Sequence, residues 1–260
     1  MVFRWPFRGR TSGALLIVFL LCVWEVALRW HWIKSISLPP VSQVFSSLPG
    51  LFVSGEIPFQ VWMTLRRMFI GYGAAAVAGT GVGLIMGYFR PAYNLLEPLT
   101  EILRPIPSPA YIPIAILFLG IDDEMKAAVI AFASFWPILL NSYSGVKSAD
   151  PVQINTGKTF GLSSWKLLWQ IVLPAATPSI FTGLRISLAL SLIISVIAEM
   201  VASNNGIGFF ILDAQRSFRI REMYAGIMVL GTLGYGFNWL FLKLEKKLMR
   251  WYFGATSRET

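Results

Sequence analysis

Ser187, Ser191, Ser195 and Glu199 stand four residues apart in an otherwise apolar run. At 100° per residue such a set drifts slowly along one side of a helix. Repeated hydroxyls can line a wet path or bond helix to helix, and an ionisable group in lipid needs water or a partner. A second set is Arg104, Pro105, Pro107, Ser108, Pro109 and Pro113. Each proline removes a backbone donor and disfavours helix in the residue before it, so a helix here must break. In a spanning helix the break falls near mid-depth, where open backbone is tolerated only against protein or a watery cavity. Transport sites are built on such broken helices, although a structural kink accounts for the same prolines. Arg104 and Arg185 could attract an anion or reach out to lipid phosphates.

This is the chemistry of passage rather than of bond-making. One histidine, His31, and one cysteine, Cys22, leave no zinc constellation and no internal disulfide. Cys22 reads as a small hydrophobe and His31 as an interface residue. No nucleophile, base and acidic pair converge in the apolar runs, which argues against an enzyme. Gly157-Lys158-Thr159 spells the end of a phosphate-binding loop, but the pattern needs glycine at position 152, which is Val152. The chain is expected to bind no cofactor, no metal and no ATP itself.

The elements that position these residues are membrane helices. The chain has 260 residues, 55% hydrophobic and 13% charged, with mean hydropathy +0.63. That is about half the charge of a soluble domain, roughly 25%. A net charge of +9 would suggest nucleic acid in a soluble protein. Here the basic residues sit in the tail and between apolar runs, so they set membrane orientation instead. Six runs approach the roughly 20 residues a spanning helix needs: 13–30, 68–89, 97–120, 125–146, 175–201 and 223–242. The first, interrupted by Glu25, reads as an uncleaved first helix. The stretch 37–58 reads as an extramembrane loop with a short helix. The expected fold is all-α, a polytopic transmembrane bundle forming one domain over 1–260.

With the N-terminus in the cytoplasm, the basic residues split twelve inside to eight outside. The inside set holds Arg4, Arg8, Arg10, Arg90, Lys147, Lys158, Lys166, Lys243, Lys246, Lys247, Arg250 and Arg258. The outside set holds Arg29, Lys34, Arg66, Arg67, Lys126, Arg216, Arg219 and Arg221. Residues 1–12 and 243–260 are then cytoplasmic tails. In the second span Gly71, Ala75, Gly79, Gly83 and Gly87 repeat every four residues. Such a face lets helices approach closely, within the chain or at a dimer interface.

Between spans four and five lies the cytoplasmic segment 147–174. Asp150 can cap a helix starting at Pro151. Gly161 can end it in a left-handed turn. Ser163 or Ser164 can cap a second short helix over 165–172, which Leu173-Pro174 then stops. The result is a rigid helix–turn–helix bracket, more than a mere connection requires.

The run Asn155-Thr156-Gly157, Gly161, Ile171-Val172-Leu173-Pro174 resembles the E-A-A-x3-G-x9-I-x-L-P loop of permeases served by ATP-binding cassettes. The spacing and the I-x-L-P ending match; the E-A-A triplet is Asn-Thr-Gly instead. Landmarks along the chain are similar to those of the sulfonate, taurine, nitrate and bicarbonate permeases. They are Leu38-Pro39-Pro40, Arg104-Pro105-Ile106-Pro107, Pro113 with Phe118-Leu119-Gly120, Gly145-Val146-Lys147, Gly183-Leu184-Arg185 and Gly206-Ile207-Gly208. The resemblance implies a permease subunit of an ATP-driven importer in a bacterial inner membrane. Asn155, Thr156, Gly157, Gly161, Ile171, Leu173 and Pro174 would couple it to a cassette ATPase dimer carrying ATP and magnesium. The other implied partners are a second permease copy and an extracytoplasmic solute-binding protein, with no nucleic acid. The solute path is expected at Arg104, Pro107, Ser108, Ser187, Ser191, Ser195 and Glu199. A self-sufficient ion-coupled transporter is the alternative, disfavoured by the span count and the absence of internal repeats.

Overall fold

A computed structural model describes residues 10–30, 32 and 37–249. Arg4, Arg8, His31, Lys34, Arg250 and Arg258 lie outside the described residues, as do most of both tails. The regular elements are all helical: α1 Arg10–Arg29, α2 Val41–Val53, α3 Glu56–Tyr88, α4 Arg90–Leu103, α5 Ile112–Leu119, α6 Asp123–Lys147, α7 Pro151–Thr159, α8 Ser164–Leu167, α9 Leu173–Ala202, α10 Ile207–Arg216 and α11 Ile220–Leu248. A 3-10 turn, Ser108–Tyr111, precedes α5, and a π-helical turn, Leu168–Val172, joins α8 to α9.

Four helical stretches are long and apolar enough to cross a membrane: Glu56–Tyr88, Asp123–Lys147, Ser164–Ala202 and Ile220–Leu248. A fifth is the pair α4 and Ser108–Leu119, bent by 91° at its break. The expected first span falls on α1, 20 residues. The second span begins earlier than expected: α3 starts at Glu56, so Arg66 and Arg67 are helical rather than loop residues. Lys126 likewise lies in the first turn of α6, buried, donating to the Ile121 carbonyl at 2.8 Å.

The stretch Ser164–Ala202 is 39 residues, or roughly 58 Å at 1.5 Å per residue, against about 30 Å of hydrocarbon. Its first turns must therefore project from the bilayer. Leu173-Pro174 is expected to stop the bracket's second helix and start the next span; α9 does start at Leu173, but the helical stretch runs into it without a stop. Pro174 stands in the opening turn of α9 directly after the π-turn. The wider turn makes room for the proline ring beside the preceding carbonyls, so the helix runs on despite the missing N–H.

The described residues fall into two compact units. In one, residues 10–59 and 210–229, Glu25 accepts from the Ser42 backbone N–H at 3.0 Å and the Ser42 hydroxyl at 2.8 Å. The charge that interrupts the first apolar run thereby fastens α1 to α2. Phe218 has φ +56° and is 84% exposed. It precedes Arg219, which pairs with Asp213, Glu222 and Glu56. Burial lowers the Arg219 pKa, but the Asp213 hydrogen bond and the acidic charges outweigh it and hold it above its ordinary value.

The second unit, residues 60–209 and 230–249, holds the site. Its centre is α6, gripped on two sides by glycine faces. A side chain at Gly83 would come within 2.5 Å of the Leu139 carbonyl, and one at Gly71 within 2.6 Å of the Ala127 carbonyl. On the other side Gly145 and Gly183 leave the same room between α6 and α9. The four-residue repeat of α3 is thus a packing face within the chain. Met68, Leu188 and Leu192 join α3 to α9, with Phe237 and Phe241 of α11 packed against them.

Candidate functional site

The bracket forms as its local chemistry dictates. Asp150 accepts from the Val152 N–H at 2.8 Å and starts α7. Gly161, φ +74°, carries the left-handed turn, and Ser163 caps α8. Gly157 is buried, and a Cβ there would come within 2.6 Å of Leu167 and 2.8 Å of Ile171. At this position of the triplet α7 therefore packs against the ends of the Leu167 and Ile171 side chains on the second arm. Asn155, Thr156 and Gly161 are exposed, whereas Ile171, Leu173 and Pro174 are half-buried in the root.

That root is continuous with the membrane core. Val146, Ala149, Val172, Ala176 and Ile180 form one buried cluster, with Leu84, Tyr88, Ile154 and Leu173 packed on it. The Tyr88 hydroxyl donates to the Ser164 carbonyl at 2.8 Å. Two apolar side chains, one at each end of α7, are uncovered: Phe160 at the turn is 82% exposed and Val152 68%. The sequence motif covers exposed Asn155, Thr156 and Gly161 and the half-buried root, but not Phe160, an exposed apolar side chain available to a partner. Its place beside Gly161, at the turn, was the signal.

At the broken span, Arg104, Pro107 and Ser108 line one cavity of 480 Å³ with Trp136, Pro137 and Asn141. The Arg104 side chain is half exposed and 3.5 Å from Glu101. The Trp136 indole N–H, in the cavity wall residue, has no acceptor among the described residues.

The serine stripe is not part of this cavity. Ser187, Ser191 and Ser195 are fully buried. Ser187 donates to the Ser134 carbonyl at 2.6 Å, Ser191 to the Leu188 carbonyl and Ser195 to the Ser191 carbonyl. These hydroxyls spend their donors on carbonyls of α6 and of their own helix, so within this chain the stripe lies in the packing of α9, away from the Arg104 cavity.

Glu199 does not line that cavity either. It is buried at the far end of α9, where its Oε1 accepts from Arg67 Nη1 at 2.9 Å. Its Oε2 accepts from the Thr64 hydroxyl at 2.9 Å and from the Gly208 N–H at 3.0 Å. Thr64 in turn accepts from the Ile207 N–H, and Arg67 also reaches Asp123 and Asn205. Gly206, φ +104°, lies so close that any side chain there would overlap the carboxylate. The landmark Gly206-Ile207-Gly208 is the backbone that closes over Glu199. Thr64 and Arg67 were missed because the charge beside them read as loop.

A family model for the binding-protein-dependent transport system inner membrane component matches residues 79–250. The chain is 30% identical over 255 residues to the taurine transport system permease protein of Escherichia coli (strain K12), covering 96% of this chain and 93% of that one. It is 34% identical over 230 residues to the nitrate import permease protein of a Synechocystis species, covering 85% and 82%. A structure of an inward-facing methionine ABC transporter matches with TM-score 0.63 at 18% identity, over 74% of this chain and 93% of that one, which speaks for the fold.

Proposed function

The chain belongs to the family of binding-protein-dependent transport system inner membrane components, and we propose that it passes a small polar anion of the sulfonate, taurine, nitrate or bicarbonate class by alternating access. It is a multi-pass inner-membrane permease component, and a cassette ATPase and a solute-binding protein are its general partners. The finer reading takes two copies of this chain around one path, with both termini and residues 147–174 in the cytoplasm. ATP and magnesium bind the partner ATPase, which hydrolyses the nucleotide; this chain contributes no catalytic group.

The observation that carries the reading is the bracket. It is rigid, capped at both arms and rooted in the cluster around Val146, Val172 and Ala176, yet it ends in an uncovered Phe160. An ATPase gripping that end would pull on α6 and α9 together, because the bracket is packed on the cluster that both helices share. The solute path is proposed at the Arg104–Ser108 break. Its cavity offers the Arg104 guanidinium and the Ser108 hydroxyl to an anion's oxygens.

The test is co-purification with the neighbouring ATPase. Cysteine at Phe160 should cross-link to that ATPase, and a deletion within 153–164 should release it while the membrane region stays folded. Normal ATP-driven uptake by the deletion protein would defeat the reading.

A further inference from the structure

Arg104 and Arg185 are alike in sequence, each an arginine in an apolar run, but their surroundings differ. Arg104 stands at the open cavity of the broken span. Arg185 stands at one end of a separate groove of 260 Å³ between α9 and α11, walled by Leu188, Leu192, Ile193, Gly234 and Phe237. Its Nε donates to Asn238 Oδ1 at 3.3 Å. Its four remaining N–H donors meet no acceptor among the described residues.

The depth of this groove follows from the helix pairing. Phe181 meets Phe241, and Arg185 meets Asn238, so α9 and α11 run antiparallel. Beyond Asn238, α11 continues through Trp239, whose ring Lys243 Nζ covers at 3.7 Å, to Lys246 and Lys247. A tryptophan followed by lysines marks the headgroup level of a membrane helix. Asn238 lies five residues inside Lys243, about 7 Å at 1.5 Å per residue, a depth a long basic side chain spans. From Arg185 the wall runs on through Leu188 and Leu192, roughly 5 to 10 Å deeper. The groove therefore has a cation at the headgroup boundary and an apolar track leading into hydrocarbon.

We propose that this groove is a binding site for one anionic phospholipid, its phosphate on Arg185 beside Asn238 and an acyl chain along Leu188, Leu192 and Phe237. A small hydrophilic solute would gain nothing from that track, whereas a phospholipid matches both ends. At Gly234 a Cβ would stand in ordinary contact with Leu192, at 3.5 Å, so a longer side chain there would extend into the track. The site rests on the membrane reading of the chain but not on ATP coupling or on the solute.

The test uses the assembled importer in bilayers of phosphatidylcholine mixed with phosphatidylglycerol, followed by native mass spectrometry of the released complex. Wild type should retain phosphatidylglycerol in preference to phosphatidylcholine. Arg185→Gln should lower that retention about fivefold to tenfold, the weight of one basic side chain at a membrane surface. Gly234→Leu should displace both lipids by filling the track, which keeps the test open if the arginine variant is poorly folded. Undiminished phosphatidylglycerol in Arg185→Gln, or equal retention of the two lipids by wild type, would overturn the site. So would a cross-link from cysteine at Ile193 to a second permease copy, which would show that protein covers the groove. None of these readouts depends on uptake, so a failure here is distinct from a failure of the importer reading.

Discussion

Glu199→Gln changes one atom of a buried network and should be costly. Three donors converge on the carboxylate: Arg67 Nη1 on one oxygen, Thr64 and Gly208 on the other. Thr64 can turn its hydroxyl only by giving up its bond to the carboxylate, and the Gly208 N–H cannot turn at all. An amide has a single acceptor oxygen. If that oxygen faces Arg67, the amide N–H₂ confronts two donors; if it faces Thr64 and Gly208, the N–H₂ confronts the guanidinium. Either way a charge-assisted bond is lost, about 1.5–3 kcal/mol, and at least one buried donor is left unpaired, about 1–3 kcal/mol. Asp123 still neutralises part of the Arg67 charge, so the sum is held to about 3 kcal/mol, near the low end for breaking a buried pair. At roughly 2–4 °C per kcal/mol for a domain of this size, the thermal midpoint in detergent should fall by about 6–12 °C. A midpoint within a degree of wild type would refute the reasoning and mean that the carboxyl does not bind these donors as an anion.

Gly206→Ala should reproduce much of that loss, because a methyl there overlaps the Glu199 carboxylate on a backbone at φ +104°; the same melting measurement checks it. Gly83→Val should cost about 1–3 kcal/mol or more by forcing α3 off α6, read as lower yield and midpoint, whereas the same change at Gly73, where nothing lies within 4 Å, should be near neutral. Ser191→Trp should abolish folding rather than block an open path, since Ser191 is fully buried; a folded, docking-competent Ser191→Trp protein with blocked uptake would restore the path reading of the stripe. Gly161→Pro should leave the spans folded, by midpoint, but separate ATP hydrolysis from uptake.

The bracket was legible because its signals are local. Asp150, Gly161 and Ser163 each act within three residues of themselves, so spacing alone locates them. The break at Pro105–Pro109 was legible for the same reason, since proline acts on its own turn. The start of α3 was not. Arg66 and Arg67 look like loop charges until their partners Asp123 and Glu199, 56 and 132 residues away from Arg67, are in place. The serine stripe is ambiguous in a different way. Four-residue spacing puts the hydroxyls on one side of α9 but says nothing about what that side faces, and Ser134 on α6 supplies the answer only in three dimensions. The small residues of α3 carried the same ambiguity, and the close approach of Ala127 and Leu139 decides for packing within the chain.

The central claim is that this chain moves solute on the strength of a partner's ATP, delivered through the bracket. The most direct measurement is uptake of labelled nitrate, taurine and bicarbonate into proteoliposomes holding the permease, its neighbouring ATPase and its binding protein. Uptake of one of these anions should require ATP and the binding protein, and should vanish when the ATPase is made inactive or residues 153–164 are deleted. Uptake by the permease alone, driven by an ion gradient and indifferent to ATP, would contradict the account.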